Sequence, residues 1–259
     1  MYRWAIMRVL CTGLLCASVA ACGTSDTPVV ATVHTTEAPA PATAPGALPP
    51  KQKLVTYPAR GAAKWFVAAG QDSPAAGTGG RLLRYRVAVE TDIRNLSTPA
   101  FAEAITGILA DRRSWIGGGS LRLQRVGPGQ PYDFTIFLAT PDTRDRLCGD
   151  VADGYTSCRN DDAVVLNVAR WVKGVPGYAA GLGVYRQYMV NHEVGHRLGH
   201  GHELCPGPGR PAPVMQQQTL GMHGCRPNAW PYPSGTKPYH GRSGQYDDQP
   251  PGRDEGRLS

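Results

Sequence analysis

The sequence predicts a mixed α/β fold of the α+β kind, with a metal site carried on its last helix. Three observations predict it. Short segments with apolar residues in alternation or in continuous runs read as strands. Two longer segments place their apolar residues at helical spacing. The eleven residues from His192 to His202 then read H-E-V-G-H-R-L-G-H-G-H, matching H-E-x-x-H-x-x-G-x-x-H at every defined position.

The elements follow in chain order. Arg3 and Arg8 precede an apolar run from Val9 to Ala21. That run is short for a membrane span but suits the core of a signal peptide, predicted over residues 1–21. It ends Val19-Ala20-Ala21-Cys22, similar to the lipobox of bacterial lipoproteins, in which the cysteine is acylated. Cys22 is therefore the candidate lipidation site, and the expected location is the outer face of the cell membrane. Plain cleavage after Ala21, with full secretion, is the alternative. Residues 22–60 form an Ala/Pro/Thr linker with too few large apolar side chains to fold, expected to be a disordered tether.

Order is expected to begin between Gly61 and Leu82, with Trp65-Phe66-Val67 as an early packed strand. Leu83 to Glu90 alternates with the period of a half-buried strand. Thr98 is a plausible N-cap and Pro99 fits the first turn of a helix whose apolar face is Phe101, Ala104, Ile105, Ile108 and Leu109. Leu121–Val126, Asp133–Ala139 and Ala163–Val168 are three further strands. From about Val184 the chain turns helical again, with Tyr185, Tyr188, Met189, His192 and His196 on one side. The folded domain is placed at residues 61–233. The Gly-, Pro- and Tyr-rich, charged segment 234–259 is expected to be a disordered tail.

The 259 residues suffice for one sizeable domain plus tails. The formal charge of +7 is mostly arginine, without a clustered basic patch bearing aromatics. This argues against nucleic acid as a partner.

The motif carries the chemistry. His192 and His196, four residues apart on a helix, share one face and can point at one metal ion. Glu193 sits one step round, beside the metal, where it suits a general base acting on water. Gly199 lets the chain leave the helix in a conformation a Cβ would resist, so that His202 can return as a third ligand. Three nitrogens with a fourth position open is the form of a catalytic Zn2+ site. Without the extended pattern, a helix carrying two surface histidines and a glutamate would be the plainer reading.

Four cysteines remain after Cys11, Cys16 and Cys22 are set aside: Cys148, Cys158, Cys205 and Cys225. An even number in an exported chain argues for two disulfides. Three pairings are possible, and sequence-local closure favours Cys148–Cys158 and Cys205–Cys225.

The ligand pattern resembles the metzincin clan of zinc peptidases. The longer run from Asn191 to Cys225 also resembles a narrower group, exported proteins of high-GC Gram-positive bacteria filed as a domain of unknown function. That likeness extends from about Gly77 to Tyr232. The resemblance implies a mixed, mainly parallel sheet with the zinc helix packed on it, and a zinc metalloendopeptidase acting on peptide or protein substrates. It implies ligands His192, His196 and His202, the base Glu193, and a methionine turn at Met215 beneath the metal. Where some metzincins carry a tyrosine two residues after that methionine, this chain has Gln217, leaving its job to the zinc alone or to a distant tyrosine such as Tyr232. Glu203 follows the third histidine as in the astacin group, where it helps bind the mature N-terminus; the tether argues against that role here. His200 is expected to face solvent. A zinc amidase on cell-wall peptides and a non-catalytic envelope protein with a structural zinc are the rival functions.

Overall fold

A computed structural model describes residues 53–149 and 152–258. The expected signal peptide, Cys22 and the linker up to residue 52 lie outside the described residues. In chain order the strands are β1 (Tyr57–Pro58), β2 (Trp65–Val67), β3 (Arg81–Glu90), β4 (Leu121–Arg125), β5 (Phe134–Ala139), β6 (Cys158–Asn160), β7 (Ala163–Asn167) and β8 (Gly256–Arg257). The helices are α1 (Thr98–Ala110), α2 (Pro141–Cys148), α3 (Val168–Lys173) and α4 (Leu182–Arg197).

Six strands make one mixed sheet in the order β2-β3-β5-β7-β6, with β4 also on β3. The inner pairings β3/β4, β3/β5 and β5/β7 are parallel, while β2 and β6 join antiparallel. Strand β3 is long enough to serve two partners on one side, β4 along Arg81–Tyr85 and β2 along Ala88–Glu90. Alternation decides the faces. Leu83, Tyr85, Val87 and Val89 of β3, Phe134, Ile136 and Leu138 of β5, and Val164 and Leu166 of β7 enter the main core. Helices α1 and α4 cover that face and touch each other. Ala139, Val165, Phe137 and Ala163 face the other way, where they meet Cys148 of α2 and Cys158 of β6.

Several expectations shift in detail. The cap of α1 is Ser97, whose hydroxyl accepts the Ala100 N–H at 3.3 Å; Thr98 is the first helical residue. The buried face of α1 uses Ala102 in place of Ala104. Helices α2 and α3 have no counterpart in the hydrophobic spacing. The sequence of α2, P-D-T-R-D-R-L-C, has almost no apolar stripe. It is held instead by polar anchors, chief among them Glu90. This fully buried carboxylate accepts the Thr140 N–H at 2.7 Å, the Thr143 hydroxyl at 2.7 Å and the Ala63 N–H at 2.8 Å. A Cβ on Gly61 would collide with that carboxylate, so Gly61 is the residue that lets the chain pass. Glu90→Ala should cost about 3 kcal/mol or more of unfolding free energy, since three donors lose their acceptor at once. Urea denaturation would measure this. A loss under about 1 kcal/mol, an ordinary surface value, would remove Glu90 from this role.

The disulfides are Cys148–Cys158, which ties α2 to β6, and Cys205–Cys225, with Cα–Cα separations of 6.0 and 5.9 Å. These are the local pairings.

Both ends of the domain need correction. Order begins before residue 61: Tyr57 is buried, and β1 pairs antiparallel with β8. The segment 234–258 is not a disordered tail, because it is pinned to the domain along its length. Asp254, nearly buried, accepts from Lys173 Nζ at 2.8 Å and from the Tyr57 hydroxyl at 3.2 Å, with Arg170 at 3.4 Å. Arg253 pairs with Asp142 at 2.6 Å and Asp145 at 3.0 Å. The charges that make the segment look solvated are its anchors. Their partners are some 80 to 200 residues away, beyond the reach of composition.

Candidate metal centre

Helix α4 lies across β7 and β6 with its C-terminal half buried. Asn191, the residue before the motif, fixes its rotation. The Asn191 side chain accepts the Ser114 hydroxyl at 2.6 Å and donates to the Ala229 carbonyl at 3.0 Å. Its backbone carbonyl accepts the Trp115 indole N–H at 2.8 Å. Sequence reading missed Asn191 and Trp115, since a single buried amide leaves no periodic trace. Met215, also buried, lies with Trp115 against Gly195, where a Cβ would strike both side chains. The helix therefore approaches the 212–216 segment closely, as a glycine permits.

After Arg197 the chain reverses. The Leu198 N–H closes on the Val194 carbonyl at 3.0 Å, and Gly199 takes φ of 94°, a left-handed conformation that glycine adopts without strain. This return carries His202 back to the helix. One ring nitrogen each of His192, His196 and His202 lies within 4.8 Å of the other two, a grouping that could hold a metal ion. The His196 Nε2 is 3.2 Å from that of His192 and 3.1 Å from that of His202.

Each ring has its other nitrogen on an oxygen that can only accept. His192 Nδ1–H donates to the Val214 carbonyl at 2.8 Å, His196 Nδ1–H to the His200 carbonyl at 2.8 Å, and His202 Nδ1–H to Gln245 Oε1 at 2.9 Å. With the protons so placed, three Nε2 lone pairs face one another and none can donate to its neighbours. A cation relieves that arrangement. Nitrogens roughly 2.0–2.1 Å from a tetrahedral ion stand about 3.3 Å apart, close to the separations found here. The donor set therefore fits one divalent ion.

Burial pushes the His192 imidazole well below its ordinary pKa, and the charges of His196 and His202 add to the effect. Burial, with His202 next, takes His196 from 6.5 down to about 4. Both rings thus stay neutral, the form a metal needs, through the ordinary pH range.

Glu193 is 6% exposed and borders the same cleft as the three histidines. The cleft holds about 630 Å³. Its walls are edge strand β6 with Arg159, the loop at Gln217–Leu220, Tyr188 of α4, and Gln245–Pro250 of the C-terminal segment. Arg144, which also lines it, is nearly buried and paired with Asp145 at 3.1 Å and Asp153 at 3.5 Å.

Other expectations are corrected here. His200 does not face solvent; it is half-buried and stacks on Trp115, ring centres 4.4 Å apart. Tyr232 lies over Gly117 and Gly118, away from the cleft. Among the described residues the tyrosine in the cleft is Tyr188, whose hydroxyl donates to the Gln216 carbonyl at 3.1 Å. Glu203 holds the C-terminal segment, accepting the Gly241 N–H at 2.9 Å and facing His240 Nδ1 at 3.3 Å.

No curated protein and no solved structure matches the chain significantly. Residues 52–224 match the family described as "Protein of unknown function (DUF3152)". That span takes in the sheet, α4, the three converging histidines, Glu193 and Met215. It covers more than half of the chain, which therefore belongs to the DUF3152 family.

Proposed function

We propose that this is a zinc-dependent, metzincin-like metallopeptidase, exported and held at the membrane through a lipidated Cys22. One observation carries the reading. Three imidazoles, each with its Nδ1 proton committed elsewhere, converge on one point in an open cleft that Glu193 also lines. A purely structural site would be closed by a fourth protein ligand, and among the described residues no fourth His, Cys, Asp or Glu joins the group.

Three neutral imidazoles suit zinc. Such an ion supplies Lewis-acid polarisation and brings the pKa of a water down to near neutrality. The rest falls to the chain. Glu193, which lines the cleft, would accept the proton of the attacking water and hand it to the leaving amine. Strand β6, at the sheet edge and along the cleft wall, offers an extended peptide a main-chain pairing partner. The buried Met215 against Gly195 supports a methionine-turn role beneath the histidines.

A peptide-library digest with purified protein, run with and without a chelator, tests the reading. Cleavage that disappears with chelator and returns with zinc is the expected result. Cleavage of cell-wall peptides only would favour the amidase. No hydrolysis of either substrate by fully metallated protein would leave the non-catalytic alternative.

A further inference from the structure

We infer that Gln245, in the C-terminal segment, is a positioning residue for the metal centre: it sets the tautomer and orientation of the third ligand, His202. The inference rests on the metal-site reading above.

The three histidines are not held alike. His192 and His196 ride on α4 and lean on backbone carbonyls, those of Val214 and His200. His202 lies beyond the helix, in a loop with no regular structure, and is only half-buried. Its ring orientation therefore depends most on what its Nδ1 meets. That partner is a side chain 43 residues later, Gln245 Oε1 at 2.9 Å. Gln245 lies past residue 224, where the family match stops.

Its approach is built. The Gly244 N–H donates to the His202 carbonyl at 3.0 Å, and the Leu204 N–H to the Arg242 carbonyl at 2.8 Å. Glu203 and Ser243 form an antiparallel bridge, and the Glu203 carboxylate takes the Gly241 N–H. Residues 202–204 and 241–244 thus run side by side, and the next side chain falls against the His202 ring. Glu203 thereby secures the segment that brings Gln245 in. A hydrogen-bonded outer partner fixes which ring nitrogen is free and raises its basicity, and its loss commonly costs 10–100-fold in metal affinity.

The deciding experiment is cobalt(II) titration of the full chain, followed by the ligand-field absorption of the bound ion, for the parent, Gln245→Ala and Gln245→Glu. Gln245 is exposed, so the alanine variant should keep its far-UV dichroism and metal-free unfolding midpoint. Expected for Gln245→Ala is affinity about 10–100-fold weaker, with an altered ligand-field spectrum. Gln245→Glu, which keeps an acceptor at that place, should restore affinity to the parent value or better. If the parent binds cobalt and Gln245→Ala matches it in affinity and spectrum, the inference fails while the metal reading stands. If the glutamate variant binds as weakly as the alanine variant, Gln245 does not act through its acceptor oxygen, and the inference again fails. If the parent binds no cobalt, both readings fail together.

Discussion

Replacing Glu193 by glutamine should leave metal content unchanged and reduce peptide hydrolysis by about 10²–10⁴-fold, the usual range for a lost general base. The two side chains are nearly the same size, so the nearly buried site keeps its packing. What goes is the ability to take a proton. The carboxylate lies outside the trio of converging nitrogens yet borders the same cleft, so loading of the site should not depend on it. Metal analysis beside turnover on a cleavable peptide separates the two roles. Parent-level turnover in a fully metallated Glu193→Gln protein would take the base assignment away from Glu193. Loss of the metal itself would make Glu193 a ligand.

His202→Ala should show the other large effect, on the metal. Zinc binding at a structural four-ligand site amounts to about 10–16 kcal/mol. Shared among its four ligands, that is about 2.5–4 kcal/mol each, or roughly two to three decades in affinity. His202 is the informative choice because, of the three candidate ligands, it alone lies outside α4. The ring is half-buried and outside α4, so its removal opens no core cavity and leaves the Asn191 network intact. The variant should fold, retain His192 and His196, and hold zinc about 10²–10³-fold more weakly. Competition with a chromophoric chelator reads this directly. Unchanged occupancy and coordination would mean that the ion, if any, does not sit among the three imidazoles.

These two variants, with Gln245→Ala, divide the site by distance along the chain. Glu193 and His192 are neighbours on one helix. His202 is six residues beyond His196, across a glycine turn. Gln245 is 43 residues beyond His202.

That ordering matches how legible each part was in the sequence. Spacing alone marked α4, its histidines and the turn at Gly199, because helix periodicity and the left-handed preference of glycine are local properties. It marked β3 and β4 through their two-residue alternation, and β5 and β7 through short, nearly continuous apolar runs, the mark of strands buried on both faces. Helix α2 stayed hidden because a buried carboxylate on β3 holds its start through hydrogen bonds, and such bonds have no period. The cap of α1 slipped by one residue, from Thr98 to Ser97, because both side chains can accept the same kind of bond.

The C-terminal segment shows the limit most clearly. Glycine, proline and charge read as a solvated tail, yet its charged residues Asp254 and Arg253 are anchors. Tyr57, Arg170 and Lys173 for the one, and Asp142 and Asp145 for the other, come from distant parts of the chain. Only the folded arrangement brings them within reach. Chemistry written within one helix and its following turn is visible residue by residue. An ion pair or a histidine's outer hydrogen bond forms between segments that share no pattern, and it exists only once packing has placed them side by side.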